Sequence, residues 1–149
     1  MAGLRGTPRR PARKIGRFAL AAAVVLLAFG MPGAEPAAAE QVVNGCQIAP
    51  RGQCRNADLT GTTLRQAEMK SANLQGASLI RADLRGANLQ GANLMQTALF
   101  QANLSGANLQ GALLVGAKLG WADLTEANLS GAIWSNGHTC APGSIGICN

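Results

Sequence analysis

Ala82-Asp83-Leu84-Arg85-Gly86-Ala87-Asn88-Leu89-Gln90-Gly91 is one five-residue unit written twice, and the same unit, Ala-X-Leu-X-X, runs from Ala57 to Gly131. Leucine holds fourteen of the fifteen centres from Leu59 to Leu129, and Met69 holds the other. Two residues before each centre stands alanine, replaced only by Thr62 and Thr97. On an α-helix each residue turns about 100°, so a step of five turns the leucines by about 140° and spreads them around the cylinder. A straight strand repeats every two residues, so an odd step throws successive leucines onto opposite faces. Neither element buries this pattern. A chain that turns a corner every five residues does, because every leucine then points at one axis. Stacked turns, at the β spacing of about 4.8 Å, bury each layer against the next.

The run 57–131 resembles the pentapeptide-repeat family. The resemblance implies an all-β fold, a right-handed quadrilateral β-helix in which four pentads close a coil. A coil is then about 20 residues and the run makes about four coils. Glycine stands two residues after the centre in eight of the fifteen repeats, as at Gly86 and Gly91, which suits tight corners. The other corners carry Gln, Ser, Arg, Trp or Glu, so the sequence predicts that a positive φ is not required at every corner.

Outside the repeats, residues 1–39 read as a signal peptide. Six cations (Arg5, Arg9, Arg10, Arg13, Lys14, Arg17) precede the apolar run 18–29, which is shorter than an ordinary membrane span. Pro32 and Gly33 break the run, and Ala37-Ala38-Ala39 offers a small-X-small cleavage site before Glu40. Arg9-Arg10 is followed by Pro-Ala-Arg, outside the usual twin-arginine context, so general secretion is favoured. A lipoprotein reading through Cys46 is disfavoured by Asn44 and by the long gap after the apolar run. The expected division is signal 1–39, N-terminal cap 40–56, β-helix 57–136 and C-terminal cap 137–149. With the signal removed no membrane span remains, and the expected location is secreted or extracytoplasmic.

Charge follows the same division. The whole chain is +6, but residues 40–149 carry seven cations and six acids, a net +1. The basic balance belongs to the leader and is no argument for nucleic-acid binding.

Four cysteines in an exported chain of this size read as disulfides. Cys46/Cys54 precede the repeats and Cys140/Cys148 follow them, with equal spacing. Three connectivities are conceivable. In the stacked fold Cys54 and Cys140 stand about 20 Å apart, whereas a bridge needs Cα atoms within roughly 7 Å. Only Cys46–Cys54 and Cys140–Cys148 fit. Cys54 lies five residues before Leu59 and therefore takes a centre position at the open end, where a disulfide loop is a natural lid. The spacing suits neither a metal nor a redox motif, and the lone His138 cannot complete a zinc site. No cofactor is expected, and His138 reads as a loop residue.

Residues 20 apart stack in columns, so the exterior can be written from the sequence. Asn88, Asn108 and Asn128 form one column beside Gln90 and Gln110, which reads as amide ladders on a wet face. Arg65, Arg81, Asp83 and Arg85 read as a small solvated charge group. Two adjoining sides depart from polar: Leu113 over Ile133 with Met95 over Val115, then Ile80 under Phe100, with Ala98 and Trp121 nearby. These apolar side chains form a candidate interface, since contiguous exposed apolar area of several hundred Å² marks binding surfaces. The competing reading is that the capping segments fold back over them.

One histidine, no tyrosine and no converging carboxylates argue against an enzyme. Asp58, Asp83 and Asp123 are explained by the repeat's outward polar position. The expected function is an exported, non-catalytic scaffold that binds a protein partner or forms a homodimer. The alternative that the resemblance supplies is DNA mimicry toward type II topoisomerases. It needs a long acidic rod in the cytoplasm, and this chain offers about four coils, near-neutral charge and an export signal. Ice binding fails because Thr60, Thr62 and Thr63 do not recur coil after coil.

Overall fold

In the computed structural model, which describes residues 41–149, the backbone bonds run from each rung to the one above. The signal-like segment and its cleavage site lie outside the described residues. Leu59 donates its N–H to the Ser78 carbonyl at 2.8 Å, and Ser78 donates back to Ala57 at 2.9 Å. Leu79 and Ala98, then Leu99 and Lys118, repeat the exchange one and two layers higher. The parallel ladder Asp58–Ser78–Ala98–Lys118 results, joined by ladders starting at Gln53, Thr63 and Glu68. These ladders are the four sides of a coil of 20 residues. Gln53–Asn73–Asn93–Leu113–Ile133 spans four coils.

Each side holds the leucine and the alanine inward and the residue between them outward. The repeat centres from Leu59 to Leu114, and Leu129, are at most 2% exposed. Full burial of such a side chain contributes about 1.5–3 kcal/mol. Where threonine replaces alanine its hydroxyl is satisfied locally: Thr97 Oγ1 donates to the Leu74 carbonyl at 2.9 Å and Thr62 Oγ1 to that of Leu59 at 2.7 Å. The ladder starts at Gln53, a side before the leucine pattern, because Cys54 supplies the centre there and is buried as a leucine would be.

The corners correct one expectation. Every corner from Asn56 to Gly131 has a positive φ, between 54° and 70°, glycine or not. Gln66, Ser71, Arg81, Gln96, Gln101, Trp121 and Glu126 all adopt it. The cause is the turn itself. Each corner closes with an N–H from the inward Ala or Thr to the preceding centre's carbonyl, as in Ala102 to Leu99 at 3.0 Å. A left-handed third residue behind a negative-φ second one has the sign pattern of a type II turn. A non-glycine side chain there is strained, and the stacked rungs hold it.

The N-terminal end is closed by a hairpin of β1 (Gln41–Val43) and β2 (Cys46–Ile48), paired antiparallel. Its two-residue turn, Asn44-Gly45, has φ of 49° and 79°, the positive pair that a type I′ turn requires. Asn44 Nδ2 also donates to the Asp58 carbonyl at 2.7 Å, fastening the hairpin to the first coil. Disulfides join Cys46 to Cys54 and Cys140 to Cys148. Cys46 is thus engaged with Cys54, against the lipoprotein reading. At the other end the chain doubles back, and Thr139 and Ile145 pair antiparallel with Ile133 and Asn128. No helix among the described residues is long and apolar enough to cross a membrane.

Candidate interaction surface

The outward position between alanine and leucine has a structural task. In Asn93 the side-chain Oδ1 accepts the N–H of Met95, two residues on, at 3.1 Å. Asn103, Asn108, Asn128 and Asp123 do the same for Ser105, Gln110, Ser130 and Thr125. That N–H belongs to the second turn residue and points away from the neighbouring rungs, so an Asn or Asp side chain is its local partner. The asparagine column therefore serves its own turns. The side-chain ladder of this face is carried by Asn88, whose Nδ2 also donates to Glu68 Oε2 at 2.8 Å, and by Gln90, whose Nε2 donates to Gln110 Oε1 at 3.0 Å.

Gln53, Thr63, Glu68, Ser78 and Lys118 do not perform that task either, and at the candidate interface the residue in the position is apolar. Ala98, Leu113 and Ile133 occupy the Asn/Asp position, and the N–H groups of Phe100, Val115 and Ser135 have no partner among the described residues. Ile80, Met95, Leu113, Val115 and Ile133 are half-buried. Phe100 is 42% exposed and Trp121 83%. The hairpin and the returning segment pair with the ends of the coil, so these described parts of the caps leave both columns accessible.

Phe100 and Trp121 are brought together, with ring centroids 6.2 Å apart and planes inclined by 32°. Gly120, missed in the sequence reading, makes this possible. A Cβ there would stand 3.0 and 3.1 Å from Cδ2 and Cε2 of Phe100, so the ring lies flat over the glycine of the coil above. The sequence signal was a glycine 20 residues after an aromatic. Lys118, Gln96 and Gln101 interrupt the apolar area, and Arg81 Nε donates to Gln101 Oε1 at 3.0 Å along its edge.

Among the described residues the polar sides hold one ion pair, Arg85 to Asp83 at 2.6 Å. The Arg85 side chain hydrogen-bonded to Asp83 holds the carboxyl down to about 2. Asp58 and Asp123 are also lowered, first by side-chain hydrogen bonds from Thr60 and Thr125 and then by the backbone N–H groups of those threonines. All are turn-capping carboxylates. Among the described residues no cluster of His, Cys, Asp and Glu suits a metal ion. His138 is an exposed turn residue whose N–H donates to Asn136 Oδ1 at 3.0 Å. A cleft of about 260 Å³ between the hairpin (Gln41, residues 48–50) and residues 63–68 holds Arg65 and Glu68 as its ionisable side chains.

The comparisons with known proteins agree with this geometry. The pentapeptide-repeat profile (eight copies) matches residues 53–91 and 92–131. HetL, a pentapeptide repeat protein involved in heterocyst differentiation regulation in the cyanobacterium Nostoc sp. strain PCC 7120, is 41% identical with a TM-score of 0.56. The match covers 58% of this chain and 40% of HetL. Rfr23 from the cyanobacterium Cyanothece 51142 is 38% identical with a TM-score of 0.54, covering 55% of this chain and 56% of its own. This chain therefore spans about half or less of the length of these relatives. No curated protein sequence matches it. Proteins of the family form right-handed quadrilateral β-helices. With repeat, ladder, corner and profile in agreement, this chain belongs to the pentapeptide-repeat family.

Proposed function

We propose that this chain is an exported, non-catalytic scaffold whose apolar flank binds a protein partner. The observation that carries the reading is that Ala98, Leu113 and Ile133 put apolar side chains at the outward position where Asn or Asp would cap the turn. The fold gains a hydrogen bond from Asn or Asp at those places, about 0.5–1.5 kcal/mol each. Apolar residues there serve something other than the fold. Phe100 and Trp121 add the large, low-entropy aromatic area that interface centres use.

Pentapeptide-repeat proteins are in general structural or interaction proteins, not enzymes. Export rests on the leader-like residues 1–39 and on two local disulfides that suit an oxidising compartment. Crosslinking in the native extracellular milieu tests the reading, with a Phe100→Asp, Leu113→Asn double variant as the control. A protein captured by wild type and lost in the folded double variant supports it. Equal capture by both places the interaction elsewhere, and retention in the cytoplasm removes the export.

A further inference from the structure

One half of the apolar flank is the side of the coil centred on Leu59, Leu79, Leu99 and Leu119, and its outward residues stand in three columns. The ladder Asp58–Ser78–Ala98–Lys118 is the first. Thr60, Ile80, Phe100 and Gly120 form the second, and Gly61, Arg81, Gln101 and Trp121 form the third, at the corner. Bonds from Gly61 to Ile80, Arg81 to Phe100 and Gln101 to Gly120 hold the last two in register. The ends of the columns contrast. Asp58 is at the bottom of the first and Lys118 at its top. Gly61, with open space where a Cβ would stand, is at the bottom of the third, and Trp121, 83% exposed, is at its top.

This side is left unfinished within the chain in two respects. Neither Asp58 nor Lys118 has an ion-pair partner among the described residues, and three rungs, about 14 Å, separate them. Trp121 takes a left-handed corner, with a φ of 61°, where glycine would be unstrained, and leaves its ring in solvent.

We propose that this side packs on the same side of a second copy of the chain, inverted about a two-fold axis. The pairing rests on the reading of the flank as an interaction surface, and assigns its Phe100 and Trp121 half to self-association. The axis lies between the two faces, along the strand direction, midway between the rungs of Ser78 and Ala98. Rotation about it keeps the position across the side and reverses the height, so each column meets itself upside down. Lys118 then faces the partner copy's Asp58, and Trp121 faces the partner copy's Gly61. Phe100 faces the partner copy's Ile80, and Ala98 the partner copy's Ser78. Opposite charges meet, the largest side chain meets the smallest residue, and symmetry doubles the set.

Packed sheets stand about 10 Å apart, a gap that an extended lysine and an aspartate close between them. The two Arg81 side chains flank the axis at the rim. Each is held by Gln101 of its own chain at 3.0 Å and has water on its open side, which screens their repulsion. A two-fold along the coil axis would keep heights instead, and would leave Asp58 and Lys118 three rungs apart. Four rungs with three outward residues each give about a dozen residues a side, against about 20–30 in a standard complex. The dimer is therefore weak and concentration-dependent. Leu113 and Ile133 lie on the adjoining side and stay open in it.

Carbodiimide coupling and solution mass over a concentration series test the pairing, on protein purified after expression of the full chain. Carbodiimide joins a carboxylate to an amine only at contact, so an Asp58–Lys118 link forms between copies and not within one. Wild type should approach twice the monomer mass at high concentration and give that link. Asp58→Lys and Lys118→Asp should each be monomeric, because each opposes like charges twice. An equimolar mixture of the two should dimerise again, since both contacts then join opposite charges. Lys118 shows that the coil accepts lysine at this repeat position. Should Asp58→Lys still fail to fold, Trp121→Gly keeps a corner with left-handed backbone and should weaken the dimer about tenfold. Wild-type monomer at every concentration overturns the proposal, as does a dimer without the Asp58–Lys118 link. Capture of a different protein by such a monomer would overturn the second copy alone and leave the flank an interaction surface.

Discussion

Asn93 and Leu113 stand one above the other on the same ladder, and only Asn93 completes its turn. Its Oδ1 takes the Met95 N–H at 3.1 Å, whereas the Val115 N–H beside Leu113 has no partner among the described residues. Leu113→Asn should therefore raise stability by about 1 kcal/mol, the net contribution of one hydrogen bond. It should also weaken partner capture. Denaturant midpoints with an unchanged slope would measure the first effect. A lower midpoint would show that Leu113 is held by packing within the fold and is not reserved for a partner.

Two glycines should respond to alanine differently. Gly111 has a φ of 65° and open space where a Cβ would go, so Gly111→Ala meets only the backbone penalty, roughly 1–2 kcal/mol. Gly120 is not a positive-φ residue, and its Cβ would press on the Phe100 ring at 3.0 Å. That exposed ring can shift, so Gly120→Ala should change stability by no more than about 0.5 kcal/mol. Displacing the ring should alter the aromatic circular dichroism and reduce partner capture. A large loss of stability at Gly120 would make the Phe100–Trp121 pair part of the fold's own packing.

Much of this molecule is legible in its leucines. A five-residue step admits no helix stripe and no flat strand, so Leu59 to Leu129 already imply a cornered coil. Both disulfides follow from the distance between its ends. The corners were less legible, because residue type reports what a conformation prefers and not what a stack of rungs can impose on Gln66 or Trp121. The hairpin was missed although Asn44-Gly45, after two valines, is a strong turn signal. The flank was readable by column, since Ile80, Phe100 and Gly120 fall 20 apart. The path of the C-terminal cap was not, because nothing in the repeats says how far the last dozen residues reach.

Acid should act on the turn-capping carboxylates. Asp83 is lowered from 3.8 to about 2 by the Arg85 side chain. Its folded value lies below its unfolded one, so its contribution is fully present above 3.8 and is lost as pH falls from there toward about 2. Asp58 and Asp123 shift in the same direction through Thr60 and Thr125. Asp58 and Asp123 are exposed and Asp83 is only half-buried, so the loss should be shallow. Carboxyl chemical shifts followed with pH should place Asp83 below Asp58 and Asp123, and Arg85→Met should bring it up toward the ordinary value. An Asp83 titration unmoved by that substitution would leave its side-chain bond to Arg85 without effect.

Loss of the C-terminal disulfide should open one end and spare the rest. Cys140–Cys148 closes a loop with a sequence separation of eight and ties the returning segment to itself across the end of the coil. For so short a loop the chain-entropy contribution is about 2–3 kcal/mol. The segment's bonds to the coil are few: Leu129 to Ser144, Gly131 to Cys140, Gly146 to Ala127 and Cys140 to Ala132 are its principal ones. The middle coils do not depend on it, because Leu84 and Leu89 bond to Asn103 and Asn108. A Cys140→Ser, Cys148→Ser variant should therefore exchange quickly at Leu129, Gly131, Cys140→Ser itself and Gly146, while Leu84 and Leu89 stay protected. Stability additive over neighbouring layers is the expected behaviour of a stacked repeat. Protection lost together at Leu84 and Gly146 would show instead that the coil unfolds as a single unit and that the returning segment closes all of it. Peptide mapping without reductant supplies the starting point, and should recover Cys46 with Cys54 and Cys140 with Cys148.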